Sequence, residues 1–147
     1  MPVKIDNRNL NPKTAAGKPV SGGRAAGTSF QSTIKGARVE IFDGNMRELI
    51  GMVKERGEKF IRSPEEGLLN SYKESIRLFL KKLKDEFLSL KEEFGCKKDG
   101  EQKVYQLVER SESEVNELTR EALNSNKAMD LLTSLDDIRG LVLDVMG

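Results

Sequence analysis

The chain has 147 residues, the size of a single domain, and its 25 Lys and Arg residues nearly balance its 24 Asp and Glu residues, for a net charge of +1. Histidine is absent and cysteine occurs once, which excludes histidine-based triads, zincin motifs, Glu-x-x-His di-iron sites and intrachain disulfides. Apolar runs are shorter than the roughly 20 residues that cross a bilayer, and we find no signal-peptide core, so we expect a cytoplasmic protein.

Residues 1–28 are predicted to form a disordered basic tail. Prolines and glycines interrupt this segment, and it has few large apolar residues, so that burial cannot offset the entropy of ordering it. The cations of the tail outnumber its single carboxylate, Asp6, which leaves contact with nucleic acid open as an alternative function. We therefore place the folded helical domain at residues 29–147.

The apolar residues of segment 29–44 fit both a short strand and a helix. We predict a lead-in segment, in part helical, that is interrupted at Asp43-Gly44. The first long helix is then predicted over about 45–62, where apolar residues recur at i, i+3 and i+4. Gly57 lies on the apolar face of that helix and would permit a close helix crossing.

The second helix carries the clearest start signal in the chain, Ser63-Pro64-Glu65-Glu66. Ser63 is a favourable N-cap residue, Pro64 suits the first helical position, and Glu66 would complete a capping box. An apolar stripe continues from there until Gly95. A helix of about 30 residues would be about 45 Å long, which makes this the longest predicted element.

Residues 96–100 form a tight polar connection, so the next helix is expected to run in the opposite direction. This third helix is predicted over 101–124, with Ser111 in the middle of its inner face. The segment 124–126, Asn-Ser-Asn, would break the chain and cap a fourth helix over 127–145. The fold class is therefore all-α, an antiparallel bundle of three to four helices with a long second helix.

The fourth helix has an unusually wide apolar arc, about two-thirds of its circumference at 100° per residue. Its clearly polar side carries Asp130, Asp137 and Asp144. Residues a heptad apart are separated by about 10.5 Å along the axis, too far to share one metal ion, so we interpret this stripe as solvated. The helix either packs in a groove between the others or presents part of its apolar arc to a partner.

Arg139 falls inside the apolar arc of the fourth helix. A buried guanidinium without a partner is costly, so Arg139 should pair with a carboxylate on a neighbouring helix or extend to water. Gly140 weakens the helix, which would be explained by a neighbouring backbone that approaches closely there. We therefore predict a specific helix–helix contact at Arg139-Gly140, with Leu141 and Leu143 bordering any external interface.

Charged residues make up 33% of the chain, and Glu and Lys dominate them. Ion-pair networks become more favourable as temperature rises. This composition is typical of a protein from a thermophile, although ordinary helical proteins are also rich in Glu and Lys.

The run 138–144, Ile-Arg-Gly-Leu-Val-Leu-Asp, together with Tyr72-Lys73 and Phe79-Leu80 on the second helix, resembles the YaaR-like family of bacterial proteins. The resemblance covers roughly residues 40–147. It implies a helical-bundle domain in a family without an assigned biochemical function, and it supplies no catalytic residues.

We expect a non-enzymatic module that binds another protein, or itself, through a helical face. Leu78 and Leu88 lie outside the core stripe of the second helix and support that expectation. The alternative is a carboxylate-based enzyme or small-molecule binder that uses Tyr72 or Tyr105 in a pocket between helices. No residue pattern predicts a catalytic, metal or cofactor site, and we expect no cofactor and no membrane partner.

Overall fold

The prediction of an all-helical fold is confirmed for residues 22–147, the part of the chain that the computed structural model describes, with side chains from residue 30 onward. No strand occurs among these residues. None of the helices described is both long and apolar enough to cross a bilayer. The elements in chain order are α1 (Gly22–Arg62), α2 (Glu66–Phe94), α3 (Lys98–Glu117) and α4 (Ser125–Met146).

α1 is longer than the sequence indicated. It begins at Gly22, so the predicted tail is wrong for residues 22–28, and it passes through Asp43-Gly44 without the predicted interruption. A single glycine costs a helix only about 1 kcal/mol, and the buried side chains of Phe42 and Met46 stabilise the same turn by more. Residues 1–21, which hold most of the basic tail and the proposed nucleic-acid contact, lie outside the described residues.

The chain divides into two units, Met1–Ala37 and Arg38–Gly147. In the first unit, the described residues 22–37 are helical, and Phe30 is exposed. The second unit contains all buried apolar side chains of the described chain. Arg139 and Tyr72, two residues with buried polar groups, both belong to this second unit.

The break between α1 and α2 is confirmed, but the predicted cap is wrong. α2 begins at Glu66, and no side chain caps its first turn. The hydroxyl of Ser63 donates to the carboxylate of Glu65 at 2.7 Å instead of accepting from a helix amide. Pro64 still ends α1, because proline has no N–H to continue the helical ladder.

α1 packs against α2 where Gly57 meets Tyr72. A Cβ atom at Gly57 would lie 3.0 Å from Cε1 of Tyr72, which confirms that this glycine permits a close contact. Polar contacts connect the same two helices. Residues that come later in α1 contact residues that come earlier in α2. These contacts join Arg38 to Glu93, Asn45 to Glu86 and Arg56 to Ser71.

The hydrophobic core takes side chains from all four helices. Full burial of one large apolar side chain stabilises the fold by about 1.5–3 kcal/mol, so the stripe of α2 is the largest single contribution. Ser111 is buried on the inner face of α3, as its position in the pattern predicted. The largest buried side chains include Phe42, Phe60, Tyr72, Phe79, Phe87, Leu135 and Ile138.

α3 ends at Glu117, well before the predicted end at residue 124. Leu118 is extended, and the hydroxyl of Thr119 accepts from the N–H of Ala122 at 3.2 Å in the turn that follows. Leu118 and Leu123 are nevertheless buried. The helical spacing placed Ala122 on the inner face as well, and that prediction is wrong, because Ala122 is exposed and Leu123 is buried in its place. A turn replaces the last part of the predicted helix, and Thr side chains bond readily to nearby backbone in such turns.

The loop predicted over residues 96–100 is largely helical, since α3 begins at Lys98. Gly100 lies in the first turn of α3, where a Cβ atom would be only 1.9 Å from Cγ1 of Val145. The backbone N–H of Lys97 also donates to the carbonyl of Val145 at 3.2 Å. The start of α3 is thus packed tightly on the end of α4, and Gly100 is needed for that contact.

α4 begins at Ser125, two residues before its predicted start, and the first residue of the predicted break, Asn124, is its N-cap. The side-chain oxygen of Asn124 accepts from the N–H of Lys127 at 2.8 Å. This bond satisfies one of the first-turn amides that have no partner within a helix. The interruption between α3 and α4 is therefore stabilised by its own residues.

Gly100→Ala should destabilise the fold by roughly 1–3 kcal/mol, because the added methyl group overlaps Val145. Gly44→Ala is the matched control, since a Cβ at Gly44 meets nothing within 4 Å, and it should stabilise by up to about 1 kcal/mol. Urea unfolding measures both. A Gly100→Ala protein as stable as the wild type would contradict the close packing of α3 on α4.

Asn124→Ala should cost about 1 kcal/mol of folding free energy, because it removes the cap of α4. Ser63→Ala should cost much less, since the Ser63 hydroxyl bonds only to an exposed carboxylate. Thermal unfolding of the two variants compares them directly. Equal losses would show that Ser63 caps α2 after all.

Candidate functional site

Arg139 is buried on α4, with 8% of its surface exposed. Its guanidinium pairs with Asp43 of α1 and, at 3.0 Å from Nε to Oδ1, with Asp136 one turn earlier on α4. The predicted pairing with a carboxylate on a neighbouring helix is confirmed. Asp43 also accepts from Arg47 at 3.1 Å, so this small network links α1 to α4.

The network keeps its groups charged at neutral pH. Burial raises the pKa of Asp43, but hydrogen bonds from Arg47 and Arg139 outweigh it and hold the pKa below its ordinary value of 3.8. Burial acts to lower the pKa of Arg139, whereas hydrogen bonds to Asp136 and Asp43 raise it above its ordinary value. Each charge therefore stabilises the ionised form of the other.

Gly140 does not mark a close backbone approach, and that prediction is wrong. A Cβ atom at Gly140 would meet nothing within 4 Å. At this position it is the long side chain of Arg139 that connects α4 to α1, through its pair with Asp43. Helix packing within the described residues does not need the small size of glycine at this position. The space beside Gly140 is open.

Gly140 lines a groove of about 600 Å³ between α3 and α4, which we call the α3–α4 groove. Leu107 of α3 and both Leu141 and Leu143 of α4 are half-buried along it. The lining of the groove therefore includes all four α4 residues that were singled out from the sequence, Arg139, Gly140, Leu141 and Leu143. Its lining is completed by Lys103, Asp136, Asp137 and Asp144.

The rim of the α3–α4 groove is acidic. Asp136, Asp137 and Asp144 are exposed, and Lys103 is the cation opposite them. The charge of Arg139 is already balanced by its two carboxylates. Among residues 22–147, no group of three or more Asp, Glu or Cys side chains is placed to hold a metal ion.

Leu78 and Leu88 are exposed on α2, as their positions outside its stripe predicted, at 38% and 43%. Met129 of α4 is more exposed, at 64%. Single exposed apolar residues are common in folded proteins. The α3–α4 groove differs from these single exposed residues because it combines apolar residues with a concave shape. A cleft that Tyr72 lines has the same combination.

Tyr105, one of the two tyrosines expected in a pocket between helices, is held by other side chains. Its ring centroid is 5.7 Å from that of Phe87 and 4.7 Å from Nζ of Lys91. Lys91 in turn pairs with Glu101 at 2.6 Å. Cation–π and ion-pair contacts of this kind stabilise packing, and they leave Tyr105 half-buried within the fold.

Tyr72 is in a different situation, because its hydroxyl is buried and has no hydrogen-bond partner among residues 30–147. The residue is 1% exposed and lines a cleft between α1 and α4. Burial raises the pKa of Tyr72 to about 12, so the hydroxyl stays protonated at neutral pH. The sequence pointed to Tyr72 but carried no signal for its missing partner, which depends on helices remote in the chain.

Comparison with protein families gives one finding. The family described as "Protein of unknown function (DUF327)" matches residues 4–146. The resemblance to YaaR-like proteins is compatible with this match. Comparison with characterised proteins and with solved structures gave no match.

Asp43→Asn should destabilise the protein by about 2 kcal/mol at about pH 7, because Arg139 loses its partner on α1. Folding lowers the pKa of Asp43. Its contribution is therefore fully present above the unfolded-state pKa and is lost as the pH falls through the folded-state pKa.

Urea unfolding from about pH 7 to about pH 2 should thus show the gap between wild type and Asp43→Asn closing in acid. Asp85→Asn serves as control, since it makes the same change in an ion pair with Lys81 whose side chains are 61% and 75% exposed, and such exposed pairs contribute little to stability. A gap that persists at the lowest pH would show that Asp43 acts through packing and not through its charge.

Proposed function

The chain belongs to the DUF327 family of proteins of unknown function, and we propose that it is a non-enzymatic protein-protein interaction module built on an antiparallel helical bundle. The order of contacts between α1 and α2 supports the antiparallel arrangement. The short connections between successive helices support it as well, because short loops favour antiparallel neighbours.

The observation that carries this proposal is the open space at Gly140 in the α3–α4 groove. A glycine inside a helix costs about 1 kcal/mol relative to alanine, and no packing within the described chain requires it at this position. Leu141 and Leu143 leave apolar surface half-exposed on either side of that space. A partner helix could place a side chain over Gly140 and bury these leucines.

The acidic rim indicates the chemistry of the partner. Asp137 and Asp144 are a heptad apart, which separates them by about 10.5 Å along α4. A helix with an apolar strip and two Lys or Arg residues two turns apart would match both features, in the helix-in-groove mode of recognition. Charge pairs of this exposed kind speed association and make it sensitive to salt.

Two carboxylates outside the groove are held in ion pairs. A general acid at neutral pH needs a carboxyl pKa raised by its surroundings. The pKa of Asp43 is lowered, and a hydrogen bond from Lys91 lowers the pKa of Glu101 as well. These carboxylates therefore suit ion pairing, and the enzyme alternative receives no support from them.

Gly140→Gln should weaken partner binding, because a Cβ at Gly140 meets nothing within 4 Å and the longer side chain can extend from there into the groove. We expect immobilised wild-type protein to retain a partner from a lysate of its native organism and to release it at about 0.5 M salt. The amount of partner retained by the variant should be lower by at least about tenfold. Gly51→Gln is the matched control, since Gly51 also lies in a helix where a Cβ meets nothing within 4 Å, and it is exposed outside the groove.

Both variants should unfold within about 5 °C of the wild type, so that a loss of binding is not a loss of fold. Light scattering after size exclusion shows whether the partner is a second copy of the chain. Equal retention by wild type and Gly140→Gln would contradict the role of the groove.

A further inference from the structure

The α3–α4 groove carries charged side chains that no other described side chain neutralises. Of the three carboxylates on its rim, Asp136 is already paired with Arg139. The side chains of Asp137 and Asp144 on α4 are exposed and pair with no described residue, and neither does Lys103 on the α3 wall. The groove thus presents two free carboxylates and one free cation around apolar surface.

Residues 3–10 of the chain, Val-Lys-Ile-Asp-Asn-Arg-Asn-Leu, have the complementary pattern of charges. Lys4 and Arg8 are the two cations of this segment, and Asp6 lies between them. Four residues span from about 6 Å in a helix to about 13 Å in an extended chain. That range includes the separation of about 10.5 Å between carboxylates a heptad apart on a helix, so the two cations can reach both carboxylates of α4.

We propose that residues 3–10 of a second copy of the chain occupy the α3–α4 groove, which rests on the proposed function of the groove and names its partner. The two cations of the segment pair with Asp137 and Asp144, and its single carboxylate faces Lys103. The apolar residues of the segment cover Leu141 and Leu143. These residues are Val3, Ile5 and Leu10.

Both sides of this contact belong to the same family sequence. The match to the DUF327 family begins at residue 4, so it includes nearly all of the segment as well as both helices of the groove. Two copies can exchange their segments reciprocally, which forms two identical contacts and closes without further growth. Exposed ion pairs are individually weak, but the second contact forms within an existing complex and therefore strengthens the first.

A charge swap in the full chain tests the proposal. The tail variant Lys4→Glu/Arg8→Glu and the groove variant Asp137→Lys/Asp144→Lys each bring like charges together. Sedimentation velocity measures the dimer dissociation constant at about 0.05 M salt, where exposed charges are weakly screened. The wild type should dimerise, and each variant alone should dimerise at least about tenfold more weakly. An equimolar mixture of the two variants should regain the wild-type dissociation constant within about threefold, because opposite charges then meet again.

Lys13→Glu/Lys18→Glu is the matched control, since it makes the same change of charge in residues 1–21 but outside the segment. Its dimer should stay within about threefold of the wild type. All three variants should unfold within about 5 °C of the wild type, so that a weaker dimer is not a loss of fold.

The proposal is overturned if the wild type is monomeric, if Lys4→Glu/Arg8→Glu dimerises as well as the wild type, if the control weakens the dimer as much, or if the mixture does not regain it. Failure here is distinguishable from failure of the proposed function. A monomeric wild type that still retains a partner from the lysate, and loses it in Gly140→Gln, would keep the role of the groove and exclude only this occupant.

Discussion

Asp43 and Arg139 are 96 positions apart in the chain, and their ion pair determines how α4 lies against α1. A guanidinium as buried as that of Arg139 must have its charge matched. Asp136 cannot specify the position of α4, because it belongs to the same helix and moves with it. Apolar side chains alone tolerate several arrangements of similar energy, whereas a shift or rotation of α4 would separate Arg139 from Asp43.

The rotation of α4 explains how one wide apolar arc serves both the core and two open surfaces. Leu135, Ile138 and Val142 are buried. The edges of the arc near the C-terminal end border the α3–α4 groove, and Met129 at the other end borders the cleft beside Tyr72. A helix with a narrower stripe would have filled the core without leaving apolar surface at either place.

Several boundaries differ from those predicted because local signals compete with burial. Gly44 does not break α1, since the apolar side chains on the opposite face stabilise the helix by more than one glycine costs. Helical spacing placed Leu118 and Ala122 on the inner face of α3, but a turn follows Leu118, so that Leu123 is buried and Ala122 is exposed. Spacing therefore predicts burial only as far as the backbone stays helical.

The sequence by itself determined that the described chain is helical, that α1 ends before Pro64, that a residue of the segment 124–126 caps α4 and that Arg139 needs a carboxylate. These follow from helix propensity, the missing N–H of proline, local side-chain bonding and the cost of a buried charge, which are properties of one residue and its neighbours. Only the tertiary structure decided which carboxylate pairs with Arg139, that Gly140 faces open space, and that the hydroxyl of Tyr72 has no partner among the described side chains. Each of these depends on helices that are distant in the chain, and the periodicity of one helix contains no information about what lies opposite it.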